Sequence, residues 1–400
     1  MEPKIRIKGY SKKWNKVALG VLFKERNERR ADEELLSVTM HQGIIKASDN
    51  GRYDSSSDDL SHYKYVKRGD IAYNSMRMWQ GACGCSPYDG IVSPAYTVIV
   101  PSEDVVPDFF IRLFKNQRTL KTFRLNSQGL TSDTWNLKYP TLSKIELFSP
   151  DEKGEQKAIS DYLDNIDSLI NATEKALSSL KQVKSASLQA MFPKEGTTKP
   201  LVRFKGFEGK WVKIKLNSFA KRVTRKNSNL ESTLALTIAS AYGLVSQIEY
   251  FNNLVVGANI SNYFLLKKGE FAYNKSYSSG YPYGSVKRLD RYDQGILSTL
   301  YITFSIDDSI SSDYLTYFFD TTLWHKEVSE RAAEGARNHG LLNIGADEFL
   351  DINIWRPESK EEQQKIADYF TTLDKQISLQ TQRLEKLKQI KFACLDKMFV

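Results

Sequence analysis

Asp151-Glu152-Lys153 and Glu358-Ser359-Lys360 place a carboxylate two residues before a lysine, the spacing of half a nuclease metal site. Carboxylates in such a site hold a divalent cation that activates water. Both segments stand immediately ahead of long periodic helical stretches, where acidic side chains complement the positive end of the helix dipole, and helix capping accounts for them. Cys83-Gly84-Cys85 has no second pair, and His41, His62, His325 and His339 show no metal-ligand spacing. A phosphate-cradling Gly-x-x-x-x-Gly-Lys-Ser/Thr loop is absent. The chain reads as a binder without chemistry of its own: no catalytic residue, no metal and no cofactor are assigned.

One further near-miss is Ser93-Pro94-Ala95-Tyr96, close to the Asp/Asn/Ser-Pro-Pro-Tyr/Phe loop of amino-methyltransferases. Alanine stands where that loop has its second proline, and no glycine-rich cofactor loop precedes it. The corresponding Ser298-Thr299-Leu300-Tyr301 lacks the first proline as well. Both read as strand entrances carrying a buried tyrosine.

The elements that must position these residues are written twice. Pro3, Arg6, Gly9 and Trp14 recur as Pro200, Arg203, Gly206 and Trp211, a shift of 197 (211 − 14). Gly69-Asp70-Ile71-Ala72-Tyr73-Asn74 returns as Gly269-Glu270-Phe271-Ala272-Tyr273-Asn274, and Gly90-Ile91-Val92-Ser93 as Gly295-Ile296-Leu297-Ser298. Glu155, Gln156, Ile159, Asp161, Tyr162, Met191 and Phe192 match Glu362, Gln363, Ile366, Asp368, Tyr369, Met398 and Phe399, a shift of 207 (398 − 191). Conserved order with slow drift marks one duplicated module. Within each copy, Tyr96–Val100 and Tyr301–Phe304 have strand composition, Phe109–Phe114 and Tyr314–Phe319 read as short helices, and Ala47–Leu60 and Ser276–Ser285 as loops.

Each copy ends in a heptad seam: Ile159, Leu163, Ile166, Ile170, Leu177 and Leu180, then Ile366, Phe370, Leu373, Ile377, Leu384 and Leu387. Thr173 and Gln380 share a core register and are expected to set the alignment of the helices. A helix of about 40 residues is about 60 Å long, more than one turn of B-DNA at about 34–36 Å. The expected class is α+β: mixed modules over 1–150 and 196–356, with long helices over 151–195 and 357–400 forming an antiparallel coiled coil in a pseudo-two-fold duplication. Lys194–Lys199 reads as a flexible joint.

Composition is that of an ordinary globular protein, 41% hydrophobic and 26% charged. With no apolar run near the ~20 residues that span a bilayer, no signal peptide core and three cysteines, the cytoplasm is the expected compartment. Fifty-seven basic against 48 acidic residues give +9, which favours a polyanionic partner.

Lys67-Arg-Gly-Asp-Ile-Ala-Tyr-Asn74, Lys267-Lys-Gly-Glu-Phe-Ala-Tyr-Asn274, Gly90-Ile-Val-Ser-Pro-Ala-Tyr96 and the helix starts Glu155-Gln-Lys-Ala-Ile-Ser-Asp-Tyr-Leu163 and Glu362-Gln-Gln-Lys-Ile-Ala-Asp-Tyr-Phe370 carry a resemblance. In doubling and order, the chain resembles the specificity subunit of type I restriction–modification enzymes. The resemblance implies a non-catalytic subunit in which each target-recognition domain reads one half of a split asymmetric site in double-stranded DNA. Two methyltransferase subunits using S-adenosylmethionine would dock on the helices, and a restriction subunit with ATP-driven translocation would join them. Those cofactors, with magnesium, belong to the partners, and no membrane is involved.

On that reading the framework repeats while the loops after Asn74 and Asn274 differ. Arginine can pair bidentately with guanine, and asparagine or glutamine with adenine. The expected base readers are Asn74, Arg77, Gln80, Gln128 and Thr131 in the first copy, and Asn274, Lys275, Tyr277, Arg337 and Asn338 in the second. Identical residues in both copies fit a turn better than sequence reading, which singles out Asn74 and Asn274. Lys24, Arg26, Arg29 and Arg30, with Lys221, Arg222, Arg225 and Lys226, are the expected phosphate contacts. Two rivals remain at this level: a two-headed protein-interaction scaffold, and a stand-alone enzyme, for which the modules leave no room.

Overall fold

The computed structural model describes residues 1–40, 42–50, 59–132, 134–240, 242–253, 259–278, 280–332 and 342–400. The chain divides into two compact units: Met1–Lys175 with Gln382–Val400, and Ala176–Thr381. Each unit therefore combines a module, the first part of the helix that follows it, and the closing part of the other long helix.

Unit 1 is built on a four-stranded antiparallel sheet in the order Phe23–Glu25, Tyr96–Pro101, Ile71–Asn74, Cys83–Cys85. Unit 2 repeats it as Ala220–Arg222, Ile302–Ile306, Phe271–Asn274, Ser285–Arg288. The central strands Ile71-Ala-Tyr and Phe271-Ala-Tyr are buried throughout, as continuous apolar runs covered on both faces must be. The first and last strands of each module pair with one another, Asn15–Ala18 with Glu146–Ser149 and Val212–Lys215 with Asn353–Arg356.

Repeated residues explain themselves as framework. Gly69 and Gly269 turn at φ of 90° and 85°, a region costly for other residues. The carboxylate that follows closes the turn: Asp70 accepts from the Lys67 amide at 2.9 Å and Glu270 from the Lys267 amide at 2.7 Å. Gly90 and Gly295 pass so close to a neighbouring segment that a β-carbon would meet the Glu34 carbonyl oxygen or Leu236 Cδ1 at 2.5 Å.

Both long helices run 38 residues, Lys153–Ala190 and Lys360–Lys397. The seam positions are buried, with Leu180, Ile377 and Leu387 half-buried. Pairing is antiparallel inside each unit. In unit 1, Asp167 meets Lys391 at 2.5 Å and Glu174 meets Lys388 at 2.9 Å. In unit 2, Lys184 meets Asp374 at 2.7 Å and the Ser187 and Tyr369 hydroxyls lie 2.9 Å apart. The helix ends that carry Met-Phe complete the cores: Phe399 packs on Phe109 in unit 1, and Phe192 on Trp211 and Tyr314 in unit 2.

Four expectations are corrected or narrowed. Thr173 is buried, and its one hydroxyl proton goes to the Leu169 carbonyl of its own helix at 2.7 Å, leaving only the oxygen to accept from a partner helix. The Lys194–Lys199 joint is a closed turn, with Pro193 and Pro200 bridged and the Thr197 amide donating to the Lys194 carbonyl at 3.0 Å. Tyr96 and Tyr301 are half-buried, and Tyr301 lies just before its strand. The carboxylates of Asp151 and Glu358 do not cap. Asp151 accepts from Asn15 Nδ2 at 2.6 Å, and the second long helix is capped by Ser359 Oγ, which accepts from the Glu362 amide at 3.3 Å.

Candidate nucleic-acid interface

The central strand of unit 1 ends at Asn74, whose side-chain oxygen accepts from the Met76 amide at 3.0 Å. Asn274 repeats the contact with the Ser276 amide, also at 3.0 Å. Both asparagines thus shape the turn that launches the variable segment, a role their duplication foreshadowed.

Beyond that turn, unit 1 gathers its expected readers on one face. The Leu137 amide donates to the Ser75 carbonyl at 2.8 Å, laying the segment before Leu137 beside the strand end. Trp79 and Trp135 pack edge to face at 5.2 Å, and Arg124, near the end of helix Gln117–Asn126, lies 5.1 Å over the Trp135 ring. Arg77 is exposed with Nη1 3.5 Å from Gln80 Oε1, and Gln128 and Thr131 are exposed in the neighbouring loop. The structure therefore joins Asn74, Arg77, Gln80, Gln128 and Thr131, drawn from segments about fifty residues apart in sequence.

In unit 2 the Leu342 amide donates to the Lys275 carbonyl at 2.9 Å, the counterpart of the Leu137 contact. Lys275 is half-buried and its ammonium donates to the Ile344 carbonyl at 3.3 Å, while Tyr277 is exposed. Arg337, Asn338 and His339 lie outside the described residues, as do His41 and parts of the two expected loops. Unit 2 also exposes Tyr242, Ile248, Tyr250 and Phe251, with Tyr250 and Phe251 rings 4.9 Å apart.

The basic runs behave differently from what their sequence implies. Arg26 forms a bidentate pair with Asp70 at 2.7 and 3.2 Å, and Arg225 grips Glu270 Oε1 at 2.7 and 3.1 Å. Hydrogen bonding to Asp70 raises the Arg26 pKa, so the two are held as an ion pair within the fold. Arg30 pairs with Glu28 and Glu33 and lies 3.7 Å over Tyr65. Lys226 donates to the Asn262 carbonyl at 2.9 Å above the Phe264 ring. Lys24, Arg29, Lys221 and Arg222 are exposed, with Arg29 3.5 Å from His62 Nδ1.

A positive surface that sequence reasoning missed runs along helix Gln117–Asn126. Arg118, Lys121 and Arg124 are exposed on it at three-residue spacing, which puts them on one side. Arg118 is partly used by Asp396 at 3.7 Å, leaving Lys121 and Arg124 beside Arg77. The one acidic residue in 74–81 and 115–138, Asp133, lies outside the described residues. That i, i+3 basic spacing beside the expected readers was the available signal.

Burial pushes the Cys83 and Cys85 thiols up to about 12, keeping both neutral. Among the described residues no cluster of three His, Cys, Asp or Glu side chains could hold a metal ion, and no helix is long and apolar enough to cross a membrane.

Residues 209–389 match the family described as type I restriction modification DNA specificity domain. A 133-residue stretch, 32% of this chain, is 26% identical to the type I restriction enzyme HindI specificity subunit of Haemophilus influenzae. That stretch spans 29% of the relative's length. In fold, the chain is similar to the type I restriction-modification S subunit of M. genitalium (TM-score 0.57, 13% identity, 100% of this chain and 99% of that one). It is also similar to the HsdS subunit of Thermoanaerobacter tengcongensis (TM-score 0.50, 15% identity, 98% of both chains). The family match falls on the second module and part of the helix that follows it, and the first module repeats selected framework residues of the second. Residues 209–389 are thus similar to the type I restriction modification DNA specificity domain.

Proposed function

We propose that this chain is the DNA sequence-specificity subunit of a type I restriction–modification assembly. Each unit reads one half of a bipartite, asymmetric double-stranded site, and the paired helices set the gap and dock methyltransferase subunits. One observation carries the reading: two modules with the same framework present different side chains at the same place, after Asn74 and after Asn274. Identical scaffolds with different hydrogen-bonding surfaces suit two different base sequences. A two-headed protein scaffold accounts for the duplication but not for the exposed basic side chains Lys121 and Arg124 beside Arg77 in unit 1.

The subunit itself performs no catalysis in this proposal. Adenine methylation from S-adenosylmethionine belongs to the methyltransferase partners, and ATP- and magnesium-dependent translocation and cleavage to a restriction subunit. The test is a modified-base map of DNA from cells expressing the methyltransferase partner, with this chain present or deleted. A split methylation motif that disappears on deletion is the expected result. An unchanged map, with the partner demonstrably expressed, would overturn the proposal in favour of the scaffold.

A further inference from the structure

The first long helix, Lys153–Ala190, carries two heptad seams. The seam from Ile159 to Leu180 is the one that packs inside the units. One residue ahead of each of its positions stands a second series: Ala158, Tyr162, Asn165, Leu169, Ala172 and Ala176, continued at the same 4-3 spacing to Ala190. A step of one residue turns an α-helix by about 100°, so the second seam runs alongside the occupied one. No charged residue stands at any of its positions. Between Ala158 and Ala190, which are half-buried, every member is exposed. Tyr162, Leu169 and Val183 keep 41%, 43% and 46% of their surface open.

Single exposed apolar residues are ordinary. Large ones repeating at multiples of seven along an uncharged stripe are the pattern of helix-on-helix packing. The second long helix, Lys360–Lys397, keeps the frame and changes the chemistry. At a shift of 207 (376 − 169), Lys365, Gln376, Arg383, Lys386 and Lys397 replace Ala158, Leu169, Ala176, Ser179 and Ala190. All five are exposed. Tyr369 repeats Tyr162 but is covered within unit 2, its ring 6.2 Å from Phe204 and its hydroxyl 2.9 Å from that of Ser187. Unit 1 has the smaller Ile7 at the Phe204 position (204 − 197), and Tyr162 stays open. The occupant that fits the first helix is therefore another α-helix with an apolar heptad face, continuing the seam already packed beside it.

We infer that this seam receives an amphipathic helix of the methyltransferase partner, and that the chain's two docking places are unequal. One and the same partner helix meets an uncharged apolar seam on the first helix and a lysine- and arginine-bearing one on the second. Burying the second seam brings ammonium and guanidinium groups toward an apolar contact, which costs free energy unless each finds a partner. The first partner copy is accordingly held more tightly than the second. The inference rests on the function proposed above and adds an order of assembly to it.

Native mass spectrometry of the full-length chain titrated with its methyltransferase partner reads the one-partner and two-partner species and both dissociation constants. The two steps should differ by roughly ten- to a hundred-fold, the size of one buried leucine side chain. Tyr162→Lys with Leu169→Lys should weaken the tight step by a similar factor and leave the urea unfolding midpoint in place, since both side chains are exposed. Gln376→Leu with Arg383→Ala, which writes the first seam onto the second helix, should tighten the weak step. Two steps separated only as statistics require for equal sites would overturn the inference, as would a Tyr162 and Leu169 variant that keeps the tight step. Self-association of the chain alone, lost in that variant, would overturn the partner assignment and give the seam to a second copy. Unequal steps in a complex that methylates without sequence preference would sink the function proposed above and leave the seam standing. A wild-type chain that binds no methyltransferase would overturn both.

Discussion

Glu155 and Glu362, almost wholly buried at the start of the long helices, each accept two hydrogen bonds from an arginine near the beginning of their module. Arg6 donates at 2.7 and 2.8 Å, and Arg203 at 2.6 and 2.7 Å. The neighbouring glutamines lock the joint further, Gln156 accepting from the Val106 amide and Gln363 from the Ser311 amide. The two sites differ in one donor: Trp14 Nε1 reaches Glu155 at 3.3 Å, whereas Trp211 Nε1 finds no partner among the described residues. Removing the arginine should therefore leave Glu362 the more exposed to an uncompensated buried charge. We expect Arg6→Ala to cost about 2–3 kcal/mol and Arg203→Ala about 3–5 kcal/mol, read as shifts of the urea unfolding midpoint. Equal losses would show that the tryptophan contact carries no weight. This scale also marks where sequence reading is weakest. Arg26 and Arg225 looked like free charge because Asp70 and Glu270, 44 and 45 residues away, are invisible to a local reading of a basic run. Asn74 and Asn274 were legible as turn residues because duplication separates framework from reader.

The heptad seams were readable because a 4-3 spacing of apolar residues has one physical meaning once the segment is long enough. What spacing does not reveal is which polar residues fix the axial alignment, since that depends on where two helices meet. Thr173 is a reasonable candidate by register, although its hydroxyl proton is spent on its own helix. Ion pairs that obey the duplication also join the helices: Asp167 and Lys184 of the first copy correspond to Asp374 and Lys391 of the second, both at a shift of 207 (374 − 167 and 391 − 184). Asp167 pairs with Lys391 inside unit 1, and Lys184 with Asp374 inside unit 2. Each pair is braced from the module, by Arg112 on Asp167 at 3.2 Å and by Tyr317 on Asp374 at 3.2 Å. A double-mutant cycle on Lys184→Met and Asp374→Asn should return a coupling of about 1 kcal/mol, kept modest because Asp374 is 41% exposed and screened. The same cycle on Thr173→Val and Gln380→Leu should return a coupling near zero. A reversed ranking would restore the polar core residues to the aligning role.

At the scale of the whole molecule, net charge is a poor guide to where a polyanion binds. The excess of +9 is spread over 57 basic residues, many of them paired within their own unit. The useful charge is what remains after that pairing, and in unit 1 it includes Lys121, Arg124 and Arg77 beside the divergent turn, together with Lys24 and Arg29 of the run from Lys24 to Arg30. Phosphate contacts act through counterion release, so each one removed reduces the slope of log affinity against log salt by about 0.9 on duplex DNA. Lys121→Ala with Arg124→Ala should therefore flatten that slope by about 2 while the methylated sequence stays the same. Arg26→Ala should instead destabilise unit 1 by breaking the Asp70 pair, with the slope unchanged wherever the protein remains folded. These outcomes distinguish the readings because a structural arginine and a phosphate-binding arginine differ in salt dependence even when both variants bind DNA less well. A flattened slope for Arg26→Ala with an intact slope for the Lys121 and Arg124 variant would move the DNA backbone to the other side of the sheet. A changed methylation sequence in the double variant would make those side chains base readers, since contacts confined to phosphate position the protein without specifying sequence.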